Sequence, residues 1–173
     1  MTKGTWSGRS IVYLVEGETE VKLLEVLKLE LRCIYPGKVR MRNVVQERLR
    51  QSEFIQYGNS VNIVFLFDTD TANADILKAN LECVKELPNC HELICIPQVK
   101  NLEDELKYAC GLKDIRELTC SRSIGDFKRD FLRMKNIGQI LLRAGFDIQR
   151  IWSRNATGAF AVVKNEAEKI KKK

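Results

Sequence analysis

Two acidic clusters, each closing an apolar run, carry the chemistry open to this chain. Ile11-Val12-Tyr13-Leu14-Val15 runs into Glu16-Gly17-Glu18-Thr19-Glu20, and Val61-Asn62-Ile63-Val64-Phe65-Leu66-Phe67 runs into Asp68-Thr69-Asp70. Clustered carboxylates repel one another and resist leaving water, so buried strands ordinarily end in neutral turn residues. Carboxylates gathered at the same ends of two neighbouring parallel strands make a divalent-cation site. Oxygen-only ligands favour Mg²⁺ or Mn²⁺, with water and substrate phosphate filling the remaining positions. That is phosphate chemistry, and its expected metal ligands are Glu16, Glu20, Asp68 and Asp70. Each cluster taken singly has a simpler reading, because Glu18 and Glu20 suit the first turn of any helix and Asp-Thr-Asp can cap one.

The elements that must position these groups follow from hydrophobic spacing. Residues 11–15 read as a buried strand. Glu18 to Leu31 reads as a helix, with Val21, Leu24, Leu27 and Leu31 on one face and an i,i+4 pair of Glu18 with Lys22. After Pro36-Gly37, Val39 to Val45 alternates as an edge strand, and Gln46 to Tyr57 reads as a weak helix stopped at Gly58-Asn59. The run to Phe67 is the most buried strand, Asp75 to Leu87 a helix, and Leu93 to Ile96 a fourth strand. Beyond Pro97 the pattern is mainly helical: Asn101 to Cys110, Asp126 to Met134 and Ile137 to Ala144, with a short strand expected at Phe146 to Trp152. Alternation of strand and helix predicts an α/β fold with a four-stranded parallel sheet, whose ligands bind at the carboxyl ends of the strands. Both acidic clusters lie at such ends.

Composition narrows the classes. With 45% hydrophobic and 30% charged residues the 173-residue chain has the make-up of a single globular domain, and no apolar run reaches the ~20 residues of a membrane span. The polar first ten residues lack the apolar core of a signal peptide, which makes a cytoplasmic protein without a membrane partner the expectation. Of the net charge of +6, residues 166–173 supply +2 and the body keeps +4 around its acidic clusters. A basic body around an acidic centre suits a polyanion that reaches metals between lysines and arginines. The six cysteines include no Cys-x-x-Cys pair and the single histidine is His91, a pattern that argues against structural zinc and for free thiols in a reducing compartment.

Glu16-Gly17 and Asp68-Thr69-Asp70, in that order and strand context, resemble the Toprim domain, the catalytic fold shared by topoisomerases, bacterial primases and several nucleases. The variant Glu-Gly-x-Thr-Glu, present as Glu16 to Glu20, is most similar to nucleases of the overcoming-lysogenization-defect type and their small defence-associated relatives. The resemblance covers residues 10–97. With the residue pattern, it divides the chain into a flexible stretch at 1–10, a single Toprim-like domain at 11–165 with a core to 97 and a mainly helical elaboration after it, and a basic tail at 166–173. It also implies a Mg²⁺- or Mn²⁺-dependent nuclease hydrolysing phosphodiesters of DNA or RNA, with phage defence as its setting.

In that reading Asp68, Asp70 and Glu20 hold one or two metals. Glu16 holds a metal or moves a proton at the attacking or leaving oxygen. A later acid, Glu105 or its neighbour Glu103, and a lysine, Lys164 or else Lys100 or Lys128, complete the site. The chain departs from the family in Thr71-Ala72-Asn73 after the second aspartate, in having no room for a separate tyrosine-bearing domain, and in lacking a Gly-x-x-x-x-Gly-Lys-Ser/Thr phosphate loop. Any ATPase is then a separate subunit. Two other readings fit the same residues: a non-catalytic nucleic-acid-binding or partner-docking module, and a phosphatase of the haloacid-dehalogenase type with Asp68 and Asp70 as nucleophile and acid.

Overall fold

The two apolar runs that end in carboxylates form the central pair of strands in one parallel sheet. In the computed structural model, which describes residues 9–71 and 73–172, β1 (Ser10–Val15) lies between β2 (Lys38–Met41) and β3 (Val61–Asp68). Outside β3 runs β4 (Cys90–Gln98), so the order is β2-β1-β3-β4 with every ladder parallel. The chain leaves β1 toward one edge and returns across it to reach β3. The crevice between β1 and β3 is thus the point where strand order reverses, which is where open parallel sheets bind ligands.

Both faces of the sheet are covered, which is why residues 11–15 of β1 and 63–67 of β3 are continuously apolar rather than alternating. Ile11, Tyr13, Val15, Val64, Leu66, Ile94 and Ile96 pack under α1 (Glu18–Glu25), α3 (Leu102–Cys110), α5 (Ile124–Arg133) and α6 (Ile137–Arg143), through Leu24, Leu106, Phe127, Phe131 and Leu141. Val12, Leu14, Ile63, Phe65 and Phe67 form the other layer with Leu77 and Val84 of α2 (Asp75–Lys85), Phe54 and Phe160. A parallel four-stranded sheet flanked by helices, with a mainly helical second half, is the α/β architecture expected. No helix among the described residues is long and apolar enough to cross a membrane.

Several elements differ from the sequence expectation, each for a local reason. The first helix is α-helical only to Glu25 and continues as a π turn over Val26–Glu30. There Lys28 is drawn inward to Glu25 Oε1 (2.6 Å) and the Gly37 carbonyl (2.9 Å). Lys22 does not pair with Glu18; its ammonium donates to the carbonyls of Leu132 and Met134, tying α1 to the end of α5. β2 stops at Met41 because Asn43 Oδ1 accepts the amides of Val45 and Gln46 and turns the chain. The segment after it is held open by buried Asn80, which bonds the Leu49 amide and the Val44 and Glu47 carbonyls, so only Gln51–Tyr57 is helical, as a 3₁₀ helix.

The second half holds further differences. A short helix not foreseen, α4 (Arg116–Thr119), precedes α5. Phe146 to Trp152 is not a strand. Gly145 ends α6 with φ +79°, and Asp147 accepts the amides of Gln149, Arg150 and Ile151 in consecutive turns. In the stretch expected as a basic tail, Ile170 and Lys171 are buried, and Lys171 bridges to Ile34. Residues 1–8 lie outside the described residues, while Ser10 already belongs to β1. All six cysteines are free, and burial pushes the Cys95 thiol up to about 12 and Cys110 up to about 11.

Candidate active site

β1 ends at Val15, so Glu16 is the first residue past the sheet, and extended Gly17 leads straight into α1. Even a methyl group on Gly17 would stand 3.3 Å from Glu20 Oε2, so the glycine leaves room for Glu20 to fold back over the strand end. Glu20 is buried in the first turn of α1, where the unpaired helix amides favour negative charge. Asp68 closes β3 beside this turn, and its amide donates to Glu16 Oε1 at 3.2 Å. Of the four carboxylates expected to converge, three, Glu16, Glu20 and Asp68, face one pocket of about 350 Å³, with Asn43, Lys128 and Leu132 on its other walls. Asp70 is exposed beyond it and adds its charge to Glu16 and Asp68.

The electrostatics are those of carboxylates held together without enough positive charge. Asp68 is pushed up to about 8, first by burial and then by Glu16 and Glu20, with the Gln98 amide opposing. Glu16 is raised by burial against the Asp68 amide, and Glu20 is raised by burial against its own backbone amide and Lys128. Lys128 reaches the pocket from α5. Burial works against its charge, but Glu103, Glu20 and Asp68 outweigh it and the ammonium holds its proton more firmly. It pairs with Glu103 at 3.5 Å.

One direct partner of Asp68 carries no chemical signature in the sequence. Gln98, the last residue of β4 and the register partner of Asp68, is fully buried. Its Nε2 donates to Asp68 Oδ1 at 2.6 Å and also interacts with Glu20, while its Oε1 accepts Trp152 Nε1 at 3.1 Å. Thr69, the middle residue of Asp-Thr-Asp, fastens β3 to β4. Its hydroxyl donates to the Gln98 carbonyl (2.7 Å) and accepts the Lys100 amide (3.2 Å). A glutamine beside a paired strand end is the only cue, and the pairing is needed to see it.

Of the candidates for the later acid and lysine, some lie by the pocket and others away from it. Glu105 is fully buried and engaged on both oxygens, Oε1 by the Val99 amide (2.8 Å) and Arg154 (3.0 Å), Oε2 by the Trp152 amide (2.9 Å). It clamps α3 to the end of β4 and to the C-terminal segment. Of the two candidate acids it is Glu103 that lies by the pocket, through Lys128 and Glu20. Lys164 is exposed and does not line the pocket. Lys100 contributes its backbone to Thr69, and among the three candidate lysines it is Lys128 that faces the carboxylates.

Among the described residues no three His, Cys, Asp or Glu side chains stand as a set that could hold a metal ion in their present arrangement. The reason is visible in the contacts: Glu16 is turned to the Asp68 amide and Asp68 to Gln98. The three carboxylates share the pocket with one facing ammonium, and burial with the neighbouring carboxylates raises Asp68. No family model, no curated protein and no solved structure matches this chain.

Proposed function

We propose that the protein is a metal-dependent phosphodiesterase of the Toprim type acting on nucleic acid. The observation that carries this reading is the opening of Glu16, Glu20 and Asp68 onto one pocket at the strand-order reversal between β1 and β3. Glu16, Glu20 and Asp68, with Asp70 at the rim, would hold Mg²⁺ or Mn²⁺. Such an ion would supply charge neutralisation at phosphoryl oxygens and lower the pKa of the attacking water.

The residues themselves divide the remaining work. Gln98 fixes the carboxylate of Asp68 through Nε2 and is fixed in turn by Trp152. Lys128 presents a firmly protonated ammonium to a phosphate entering the pocket, and Glu103 holds that ammonium at the rim. Glu16, with a raised proton affinity and one oxygen on the Asp68 amide, is suited to hold or pass a proton at the attacking or leaving oxygen. The net charge of +6 on a chain with so acidic a pocket supports a polyanionic substrate.

The test is incubation of purified protein with supercoiled plasmid, single-stranded DNA and structured RNA in Mg²⁺ or Mn²⁺. Strand cutting is expected, is abolished by EDTA, and drops by at least about a hundredfold in Asp68→Asn and in Glu16→Gln. Cutting that persists in both variants would show that another protein or another site is responsible. Phosphate release from small monoesters with nucleic acid left whole would favour a phosphatase instead.

A further inference from the structure

Two cations without a carboxylate partner among the described residues, Lys38 and Arg40, lie along the outer strand on the way to the acidic pocket. Lys38 and Arg40 pair in register with Val12 and Leu14, whose side chains belong to the layer beneath Phe54, so both cations lie on the face that carries the 3₁₀ helix Gln51–Tyr57. Two residues apart along a strand, they are spaced by about 6.6 Å. Tyr57 lies beside both: Lys38 Nζ is 5.8 Å from its ring centroid, and Arg40 Nε donates to its hydroxyl at 3.4 Å. Arg42 continues the line, moderated by Glu53 (2.8 Å) and Glu47 (3.7 Å). Asn43, next in the chain, lines the acidic pocket. Lys38 and Arg40 have no carboxylate partner among the described residues, unlike Arg42.

We propose that Lys38, Arg40 and Tyr57 form the track by which a single-stranded nucleic acid reaches the pocket past Arg42 and Asn43. The proposal rests on the phosphodiesterase reading for the strand's destination. Charges on an edge strand also discourage pairing with other chains, but that purpose needs charge alone. A tyrosine ring between two unpaired cations adds a surface on which an unpaired base stacks while its flanking phosphates meet Lys38 and Arg40. Stacked bases inside a duplex are closed to such a ring, so the track selects single strands. Ribose and deoxyribose strands share this chemistry.

Short fluorescein-labelled oligodeoxythymidine and oligouridine test the proposal by anisotropy titration in EDTA, where nothing is cut, at several salt concentrations. Wild type is expected to bind at least one of them. Lys38→Gln with Arg40→Gln lowers the slope of log K against log salt by about 1.4, roughly 0.7 for each phosphate no longer neutralised. Tyr57→Ala weakens binding about tenfold and Tyr57→Phe leaves it nearly unchanged. Thermal midpoints of the variants serve as the folding control.

Failure of wild type to bind either strand, unchanged affinity and slope in the variants, or equal binding of a blunt duplex would each overturn the track. Loss of binding in the double variant, with no cutting by any form of the protein, would keep the track and remove the phosphodiesterase. Unchanged binding alongside Asp68-dependent cutting would do the reverse.

Discussion

Asparagine at Asp68 separates what that carboxyl does to the fold from what it does in the site. Burial, Glu16 and Glu20 push Asp68 from an ordinary value of 3.8 up to about 8. Between these values the native protein keeps a proton that the unfolded chain has released. Stability therefore falls as pH rises: this group's contribution is full below about pH 4, declines across the window, and levels off above about pH 8. Each unit of displacement is worth about 1.4 kcal/mol, so from about pH 5 to 8 the wild type loses on the order of 4 kcal/mol through Asp68. Asparagine cannot ionise, and its carbonyl oxygen still accepts Gln98 Nε2 where Asp68 Oδ1 does now. Urea unfolding in EDTA should find Asp68→Asn within about 2 kcal/mol of wild type near pH 5 and about 3–5 kcal/mol more stable near pH 8.5. Adding Mn²⁺ should narrow that gap, because an ion bound by the native state stabilises the ionised wild type and not the variant. A stability difference that stays constant from about pH 5 to 8.5, or a variant less stable at both, would refute the claim that crowded burial holds this carboxyl up.

Three further outcomes follow from other contacts. Glu105→Gln leaves Arg154 paired with Asp104 alone and weakens two backbone clamps, and should cost about 2 kcal/mol in urea unfolding. Gly37→Ala places a methyl 2.6 Å from the Ile11 carbonyl and 2.9 Å from the Tyr13 ring; since the near neighbours include sheet backbone, a loss of at least about 2 kcal/mol is expected, read as a lowered thermal midpoint. Trp152→Phe keeps a ring in the core but removes the donor to Gln98 Oε1. It should lower stability by about 1–2 kcal/mol in urea unfolding and weaken Mn²⁺ binding in calorimetry.

What the residue order discloses depends on whether a residue breaks a local rule. β1 and β3 are legible because runs buried on both faces stay mostly apolar, Asn62 being the exception in β3, and Glu16, Glu20 and Asp68 are legible because charge at the end of such a run is anomalous. Their partners obey local rules and so stay silent. Gln98 is an unremarked polar residue until β4 pairs with β3 and sets it opposite Asp68. Glu105 has the form of an ordinary first-turn acid beside Glu103 and Asp104, and its burial depends on Arg154 and the Trp152 amide, far along the chain. Asp147 and Asn43 end stretches whose apolar content suggests strands, because a side-chain oxygen accepting the amide two residues on outweighs a weak strand preference. Lys100, Lys128 and Lys164 are equivalent as letters. Phe127 and Phe131 in the core, with Lys22 on the last carbonyls of α5, orient that helix so that Lys128 alone faces the carboxylates. The anomaly marks where the chemistry sits, and the long-range packing of residues with no anomaly decides which groups attend it.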